Sequence, residues 1–378
     1  MELFSKDNMT EVESYITAKA AYLKRPIGGT IELLPLCNMT CKMCYIQKSH
    51  AEMRKEGRML TCDEWISIAG QAKEAGVLSI LITGGEPLLF PEFERLYKRL
   101  THMGFIICLN TNGTLVNEHW ADLFAEYPCR RINMTIYGKD NQTYADLCGN
   151  PHGFDQLMNT VALLKERQVP FRFNFTPSKW NFHQVHEIAD IARALDVPLS
   201  CGTYIFPNEE ERLGKETRPT PEEYADLYLQ TAHEHHPTYP MEIIAKSRLF
   251  SLKKTAKTKA NDYHCSAGYN GFWIDWKGYL STCGIYRLSP VNLLEHSFTE
   301  AWEMAAPKFR DLHVCEECEN CVKRNLCSVC PAANYTETGS SAGKPEYLCK
   351  ATDAVIKKLL SYLQEDEQKE YEEFLGWR

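Results

Sequence analysis

The sequence predicts an α/β fold in which a parallel sheet with crossover helices is followed by a small cysteine-rich domain. Three observations lead there. From Ile31 onward, short apolar runs alternate with amphipathic stretches, the β-α-β-α order of a parallel sheet. Six such runs occur before residue 206. From Cys265 the pattern changes, and eight of the 16 cysteines fall between Cys265 and Cys349.

In chain order, residues 1–25 show helical spacing, with Val12, Tyr15, Ile16 and Ala20 on one side, which predicts a helix lying on the domain that follows. Strands are expected near Ile31 to Leu34, Leu78 to Thr83, Phe105 to Asn110, Arg131 to Thr135, Phe171 to Thr176 and Leu199 to Ile205. Thr61 and Glu64 form a capping box ahead of Trp65, Ile68, Ala69 and Ala72, and Gly76 stops that helix. Pro91 opens the next, with Phe93, Leu96, Leu100 and Met103 inward and Gly104 at its end. Asn181 and Gln184 are expected to cap a helix whose Val185, Ile188, Ala192 and Leu195 face the sheet. Pro207, Pro219 and Pro221 then break the rhythm and open a helical connector. It contains the basic run KSRLFSLKKTAKTKA, read as a solvated face or, more sharply, as a contact for an acidic peptide or protein. The apolar alternation of FWIDWKGYLSTC around Asp275 to Gly278 reads as a hairpin.

A net charge of −8 argues against nucleic acid as the main partner. No run of about 18 apolar residues exists to span a membrane. The acidic start MELFSKDNMTEVESY lacks a signal peptide's basic region and apolar run, so a cytoplasmic location is expected. There, cysteines read as metal ligands before disulfides, because thiols stay reduced. The trio His233, His235 and His236 carries no accompanying ligand pattern beyond Glu234 and is not read as a metal site.

The chemistry concentrates in LCNMTCKMCY, where Cys37, Cys41 and Cys44 stand at C-x3-C-x2-C directly after the first apolar run. Thiolates favour zinc or iron–sulfur clusters. Structural zinc closes with four protein ligands, usually in C-x2-C pairs, and fits an isolated triad poorly. A triad suits a cubane with one iron left open. Incidental cysteines at this spacing are the bland alternative.

At these residues the chain resembles the radical S-adenosylmethionine (SAM) enzymes, whose signature is C-x3-C-x2-C on the loop after the first strand of a partial (β/α)6 TIM-like barrel. Met43 stands where relatives usually carry an aromatic residue. The resemblance extends to TGGEP after the second strand. There Gly84, Gly85 and Glu86 match the motif whose backbone and carboxylate hold the SAM amino group. Asn112 of NTNG would border the SAM, and Thr135 of TIYG keeps the hydroxyl that contacts its carboxylate in relatives. Alternation puts Arg172 and Asn174 on one face of the fifth strand. If that face is the barrel interior both line the cavity, with Asn174 placed among the cofactor contacts; the competing reading has Arg172 capping a helix or facing solvent.

The second array, Cys265-x12-Gly278-x4-Cys283 followed by Cys315, Cys318, Cys321, Cys327, Cys330 and Cys349, is similar to the C-terminal extension called SPASM. One gap departs, since Cys327 and Cys330 are separated by two residues where three are usual. The resemblance implies two auxiliary 4Fe-4S clusters. Cys318, Cys321, Cys327 and Cys349 would hold one; Cys265, Cys283 and Cys330 would hold the other, with Cys315 as its candidate fourth ligand. A zinc ribbon is the alternative. Cys62, Cys108, Cys129, Cys148 and Cys201 are expected to pack as small apolar residues. The expected organisation is an N-terminal helical segment over 1–25, the barrel over 26–206, a connector over 207–258, the auxiliary domain over 259–350 and a C-terminal helix over 351–378.

The implied enzyme holds three 4Fe-4S clusters and takes electrons from a donor such as a flavodoxin or a ferredoxin. It cleaves SAM at Cys37, Cys41 and Cys44 to a 5'-deoxyadenosyl radical and oxidises a peptide or protein side chain, as a maturase forming a thioether or carbon–carbon cross-link. Formylglycine formation on a sulfatase is disfavoured. The Asp that follows the equivalent of Cys283 in those maturases is Gly284 here, unless another acid such as Asp275 takes over. The 25 residues before Pro26 are too few for a winged-helix leader-binding domain, so a leader is expected on the barrel, on the connector near Lys246 to Lys259, or on a separate protein. A small-molecule substrate such as a haem-pathway tetrapyrrole is the second enzymatic reading, and a zinc-binding scaffold the non-enzymatic one.

Overall fold

The computed structural model describes residues 10–202, 204–206, 217–255 and 265–377. Residues 1–9 of the N-terminal segment, and 207–216 and 256–258 of the connector, lie outside the described residues. The strands are β1 (Gly28–Glu32), β2 (Ser79–Thr83), β3 (Ile106–Thr111), β4 (Arg131–Thr135), β5 (Phe171–Phe175), a short β6 (Leu199–Cys201), β7 (Gly271–Ile274), β8 (Tyr279–Ser281) and β9 (Val291–Asn292). Among the described residues, one compact unit is built from 10–174 and 265–311, the other from 175–255 and 312–377.

In the first unit the sheet order is β5-β4-β3-β2-β1-β7-β8-β9. Strands β1 to β5 are all parallel. Strand β7 adds to the free side of β1, also parallel, with Gly28 opposite Gly271, and the chain then turns back through antiparallel β8 and β9. The sheet is thus open, as a partial barrel requires. The expected hairpin is present. The Asp275 carboxylate accepts the N–H groups of Lys277 (2.9 Å) and Tyr279 (3.0 Å) and fixes the turn.

Because strand side chains alternate, the sheet has two unlike faces. Ile31, Ile80, Ile82, Ile107, Leu109, Ile132, Met134, Phe173, Phe272 and Ile274 form the apolar face, all buried. The other face is polar: register places Thr30 and Glu32 of β1, Thr83 of β2, Cys108 and Asn110 of β3, Arg131, Asn133 and Thr135 of β4, and Arg172 and Asn174 of β5 on it. The helix Cys62–Glu74 carries the capping box at Thr61 and Glu64 and buries Trp65, Ile68, Ala69 and Ala72.

Three local expectations are corrected. The helix Glu11–Tyr22 buries no residue, and Val12 and Tyr15 are 65% and 64% exposed, so its apolar stripe faces solvent. Its anchors are polar: Glu13 pairs with Arg130, and Asn270 Nδ2 donates to the Thr17 carbonyl (3.0 Å). Asn181 does not cap a helix with Gln184. Its Oδ1 accepts the Ser178 N–H (2.6 Å) and hydroxyl (2.8 Å), a turn forms over Phe182–Gln184, and the helix begins at Val185. Strand β1 ends at Glu32, because the Leu34 carbonyl turns to meet the Gly85 N–H.

The second unit is held by a helical cluster. Pro221–His235, Met241–Thr255 and Glu346–Leu360 bury Tyr224, Leu229, Leu249, Leu252, Val355, Ile356 and Leu359 together. Each such side chain contributes about 1.5–3 kcal/mol, against about 0–1 for an exposed ion pair. This decides what the basic run does locally. Lys246 pairs with Glu242 and Glu367 (2.9 and 3.0 Å) and Lys253 with Glu370 (2.5 Å), so part of its charge is already answered by the helix Glu365–Phe374.

Candidate active site

The loop carrying Cys37, Cys41 and Cys44 has no regular structure, and its shape comes from a neighbouring helix end. The helix Asn141–Cys148 leaves its last carbonyls without helical donors. Loop N–H groups fill them: Thr40 N–H donates to the Cys148 carbonyl (2.8 Å) and Lys42 N–H to that of Leu147 (3.0 Å). Within the loop, Cys37 Sγ accepts the Met39 N–H (3.4 Å) and Cys44 Sγ the Gln47 N–H (3.3 Å). Burial pushes the Cys37 thiol up to about 12 and raises Cys44 as well. Cys41 goes the other way, because the Cys148 thiol and then the Tyr137 hydroxyl hydrogen-bond to it. Cys148, expected only as filler, is therefore a fourth thiol against the triad.

The TGGEP loop is stitched to the same segment. Gly85 N–H donates to the Leu34 carbonyl (2.7 Å) and Glu86 N–H to that of Leu36 (2.9 Å). A Cβ on Gly85 would lie 2.2 Å from the Leu36 carbonyl oxygen, so only glycine permits this approach. Glu86 is fully buried, and its carboxylate accepts Leu88 N–H (3.2 Å), Asn112 N–H (2.9 Å) and the Thr111 hydroxyl (2.8 Å). Burial nevertheless pushes its pKa up to about 7, with those bonds opposing the rise. Asn112 Nδ2 reaches Asn38 Oδ1 (2.8 Å) and, more loosely, Cys37 Sγ (3.7 Å), while Asn38 Nδ2 donates to Thr114 Oγ1 (2.9 Å). Cys37, Glu86 and Asn112 are thus gathered at the carboxyl ends of the strands. Thr135 and Asn174 stand opposite each other on β4 and β5 at that same end.

The second cysteine array divides between the units. In the first, Cys283 Sγ accepts the Tyr286 N–H (3.4 Å), and the nearby Cys265 adds to the burial that raises its pKa. In the second, Cys315, Cys318, Cys321, Cys327 and Cys349 neighbour one another. Burial and the adjacent Cys315 push Cys318 up, and Cys349 is pushed up to about 11 by burial and then by Cys327. Cys330 heads the helix Pro331–Thr338, its Sγ accepting the Ala333 N–H (3.4 Å). Among the described residues, no three His, Cys, Asp or Glu side chains form a ready-made site for a single metal ion. The trio of histidines forms none either, while the adjacent Glu234 is engaged by His186 and Arg193.

A charged group beside Cys283 escaped the sequence reading. Glu32, fully buried, accepts from Trp273 Nε1 (3.2 Å) and Arg287 (3.2 Å), and Arg287 also reaches Asp275 Oδ2 (3.1 Å). Both oxygens of Asp275 are therefore engaged, Oδ1 by the turn and Oδ2 by Arg287. A Cβ on Gly284 would fall 2.5 Å from the Trp273 ring. The available signal was Glu32 itself, a carboxylate set inside the run Ile31 to Leu36.

An open parallel sheet with a three-cysteine loop and a glycine–glycine–glutamate loop at its carboxyl end defines a class, and residues 31–192 match the model of the radical SAM superfamily. Those residues form a radical SAM domain, and the chain is an enzyme with a SPASM-like cysteine-rich C-terminal part. It is 24% identical to an AdoMet-dependent heme synthase of Methanosarcina barkeri over 84% of this chain and 94% of that one. It is 23% identical to the sporulation killing factor maturation protein SkfB of Bacillus subtilis over 78% and 68%. Its fold is similar to that of Streptococcus suis SuiB bound to precursor peptide SuiA, with a TM-score of 0.66 at 17% identity, covering 92% of this chain and 84% of that one.

Proposed function

We propose that this enzyme is a cytoplasmic peptide maturase that removes two hydrogens from side chains of a precursor peptide, closing a thioether or carbon–carbon cross-link. The observation that carries the SAM-dependent part is the stitching of the Cys37–Cys44 loop to Gly85 and Glu86, with Asn112 bridging them. The donor set fits the cofactors: three thiols on one loop for a cluster, and a backbone cradle that a single Cβ at Gly85 would fill for SAM. Cys37, Cys41 and Cys44 would hold the cluster; Gly84, Gly85, Glu86, Asn112, Thr135 and Asn174 would line the SAM. When bound, the pair supplies one-electron chemistry able to take a hydrogen atom from an unactivated carbon. The protein orients the substrate and keeps water out.

Once the first hydrogen atom is taken, the second hydrogen leaves as one electron and one proton, the proton passing to solvent or a base. Cys265, Cys283, Cys315, Cys318, Cys321, Cys327, Cys330 and Cys349 are proposed to hold two auxiliary clusters that take the electron, a flavodoxin or ferredoxin serving as donor at the start of the cycle. The peptide substrate is supported by the similarity to SkfB, a maturation protein, and by the fold shared with SuiB, which binds a precursor peptide. The test is mass spectrometry of a precursor peptide from the same gene neighbourhood after anaerobic incubation with SAM and reductant. A product lighter by two hydrogens, together with 5'-deoxyadenosine, is expected, and both should vanish when Cys37, Cys41 and Cys44 are replaced by Ala. Similarity along most of an AdoMet-dependent heme synthase favours a second reading, a tetrapyrrole substrate. Haem formed with no change in any peptide would establish it instead.

A further inference from the structure

The basic run of the connector lines a cavity that the SAM and cluster assignments leave unused. Within the second unit, a space of about 420 Å³ lies between the helices Pro221–His235 and Met241–Thr255 and the turn Arg324–Leu326. That volume is in the range of small-ligand pockets, about 300–1,000 Å³. Ser247 and Arg248 line it from the connector helix, Tyr228 from the helix before, and Asn325, Cys327 and Ser328 from the turn and the residues after it. Among the described residues that line it, Cys327 is there without Cys318, Cys321 or Cys349, so this is not the space those four thiols would enclose. Its walls are tied together. Asn325 Nδ2 donates to the Ser251 carbonyl (2.6 Å), the Ser251 hydroxyl donates to the Arg248 carbonyl (2.6 Å), and Leu326 packs on the helical core.

The charge of this helix is unevenly answered. Lys246 and Lys253 are paired with glutamates, whereas among the described residues no carboxylate pairs with the half-buried Arg248. Burial raises the Tyr228 hydroxyl and the Arg248 charge opposes that rise, so the guanidinium acts across the cavity on a hydroxyl that stays protonated at neutral pH. A cation flanked by hydroxyl donors suits an anion. One guanidinium balances one negative charge and forks onto two oxygens, so a carboxylate matches it better than a phosphate of about −1.5 to −2. Ser247, Asn325 and Ser328 are exposed, so the mouth opens to solvent and a side chain can enter while its backbone stays on the surface.

We propose that Arg248, with the hydroxyls of Tyr228, Ser247 and Ser328, forms a carboxylate-binding cavity that holds an acidic side chain of the substrate peptide. The assignment of the acid to a peptide rests on the proposed function; the site itself rests on the cavity. Arg248 is a positioning residue here.

The experiment titrates the cluster-loaded enzyme anaerobically, by calorimetry, with acetyl-Gly-Glu-Gly-amide, its neutral isostere acetyl-Gly-Gln-Gly-amide, butanoate and inorganic phosphate. The acidic peptide should bind about tenfold or more tighter than the neutral one, because only it forms charge-assisted bonds. That preference should vanish in Arg248→Gln and survive, weakened, in Arg248→Lys, which keeps the charge and loses the fork. In the wild-type enzyme, where no variant must fold, the acidic peptide should slow amide hydrogen exchange over 241–255 and 324–328, and the neutral one should not. Equal binding of the two peptides, a preference that outlives Arg248→Gln, or protection confined to other segments overturns the site. Phosphate binding tighter than the acidic peptide overturns its carboxylate chemistry. Butanoate binding as tightly as the acidic peptide keeps the cavity and overturns its peptide occupant. Failure of the precursor to lose hydrogens would sink the maturase reading and leave these binding results standing.

Discussion

Replacing Glu86 by Gln should change how stability depends on pH, and the sign follows from the buried carboxyl group. Its folded pKa is raised from 4.5 to about 7. Below 4.5 it is protonated in both states and contributes nothing. As pH rises from there, the unfolded chain loses the proton first, and the penalty on the folded state grows until pH passes 7 and stays at its full value above. At 1.36 kcal/mol per unit, the penalty is about 1.4 kcal/mol at pH 5.5 and about 3.3 kcal/mol at pH 8, so the wild type loses about 2 kcal/mol between them through this one group. The variant cannot titrate there. It carries instead a cost of about 1–3 kcal/mol that does not change with pH, because the amide nitrogen cannot accept the N–H of Leu88 or Asn112 and one donor is stranded. The stability difference between Glu86→Gln and wild type should therefore move in the variant's favour by about 2 kcal/mol from pH 5.5 to pH 8. Urea unfolding of the cluster-free proteins measures it, provided fluorescence and circular dichroism transitions coincide. A difference that stays flat, or that moves in the wild type's favour, would refute the argument that desolvation outweighs the three donors.

Other consequences are more local. Cys148→Ala removes the thiol that lowers Cys41, so alkylation of Cys41 in the cluster-free protein, followed by peptide mapping, should slow several-fold; an unchanged rate would show that the contact does not polarise Cys41. Gly284→Asp should not yield a formylglycine-forming enzyme. Its Cβ meets the Trp273 ring and displaces the donor to Glu32, which should lower stability by about 1–3 kcal/mol in thermal unfolding, and an unshifted transition would contradict that packing. Replacing Cys318, Cys321 and Cys327 together should remove about four irons per chain and the peptide product while SAM cleavage continues uncoupled. Undiminished product would show that these thiols hold no cluster needed for the oxidation.

What could be read from the sequence was whatever one segment decides alone. Alternation and caps within a strand or helix marked β2 to β5 to within a residue or two, and the spacing of Cys37, Cys41 and Cys44 carried its chemistry without any partner. Arg172 and Asn174 could be put on one face because two residues always separate like-facing side chains. What stayed hidden depends on register between strands far apart in the chain. Nothing in FWID says that Gly271 will lie beside Gly28, and without that pairing Trp273 and Arg287 have no reason to meet Glu32. Cys148 is silent for the same cause, since its role comes from the helix end on which the cysteine loop happens to rest. Arg131 opens its strand in the sequence reading and carries no partner there. Only register sets Asn133 beside Asn110, and so gives the Arg131 guanidinium an amide ladder to join. Register converts separately unremarkable residues into a polar wall in which the buried Glu32 is locked by Trp273 and Arg287.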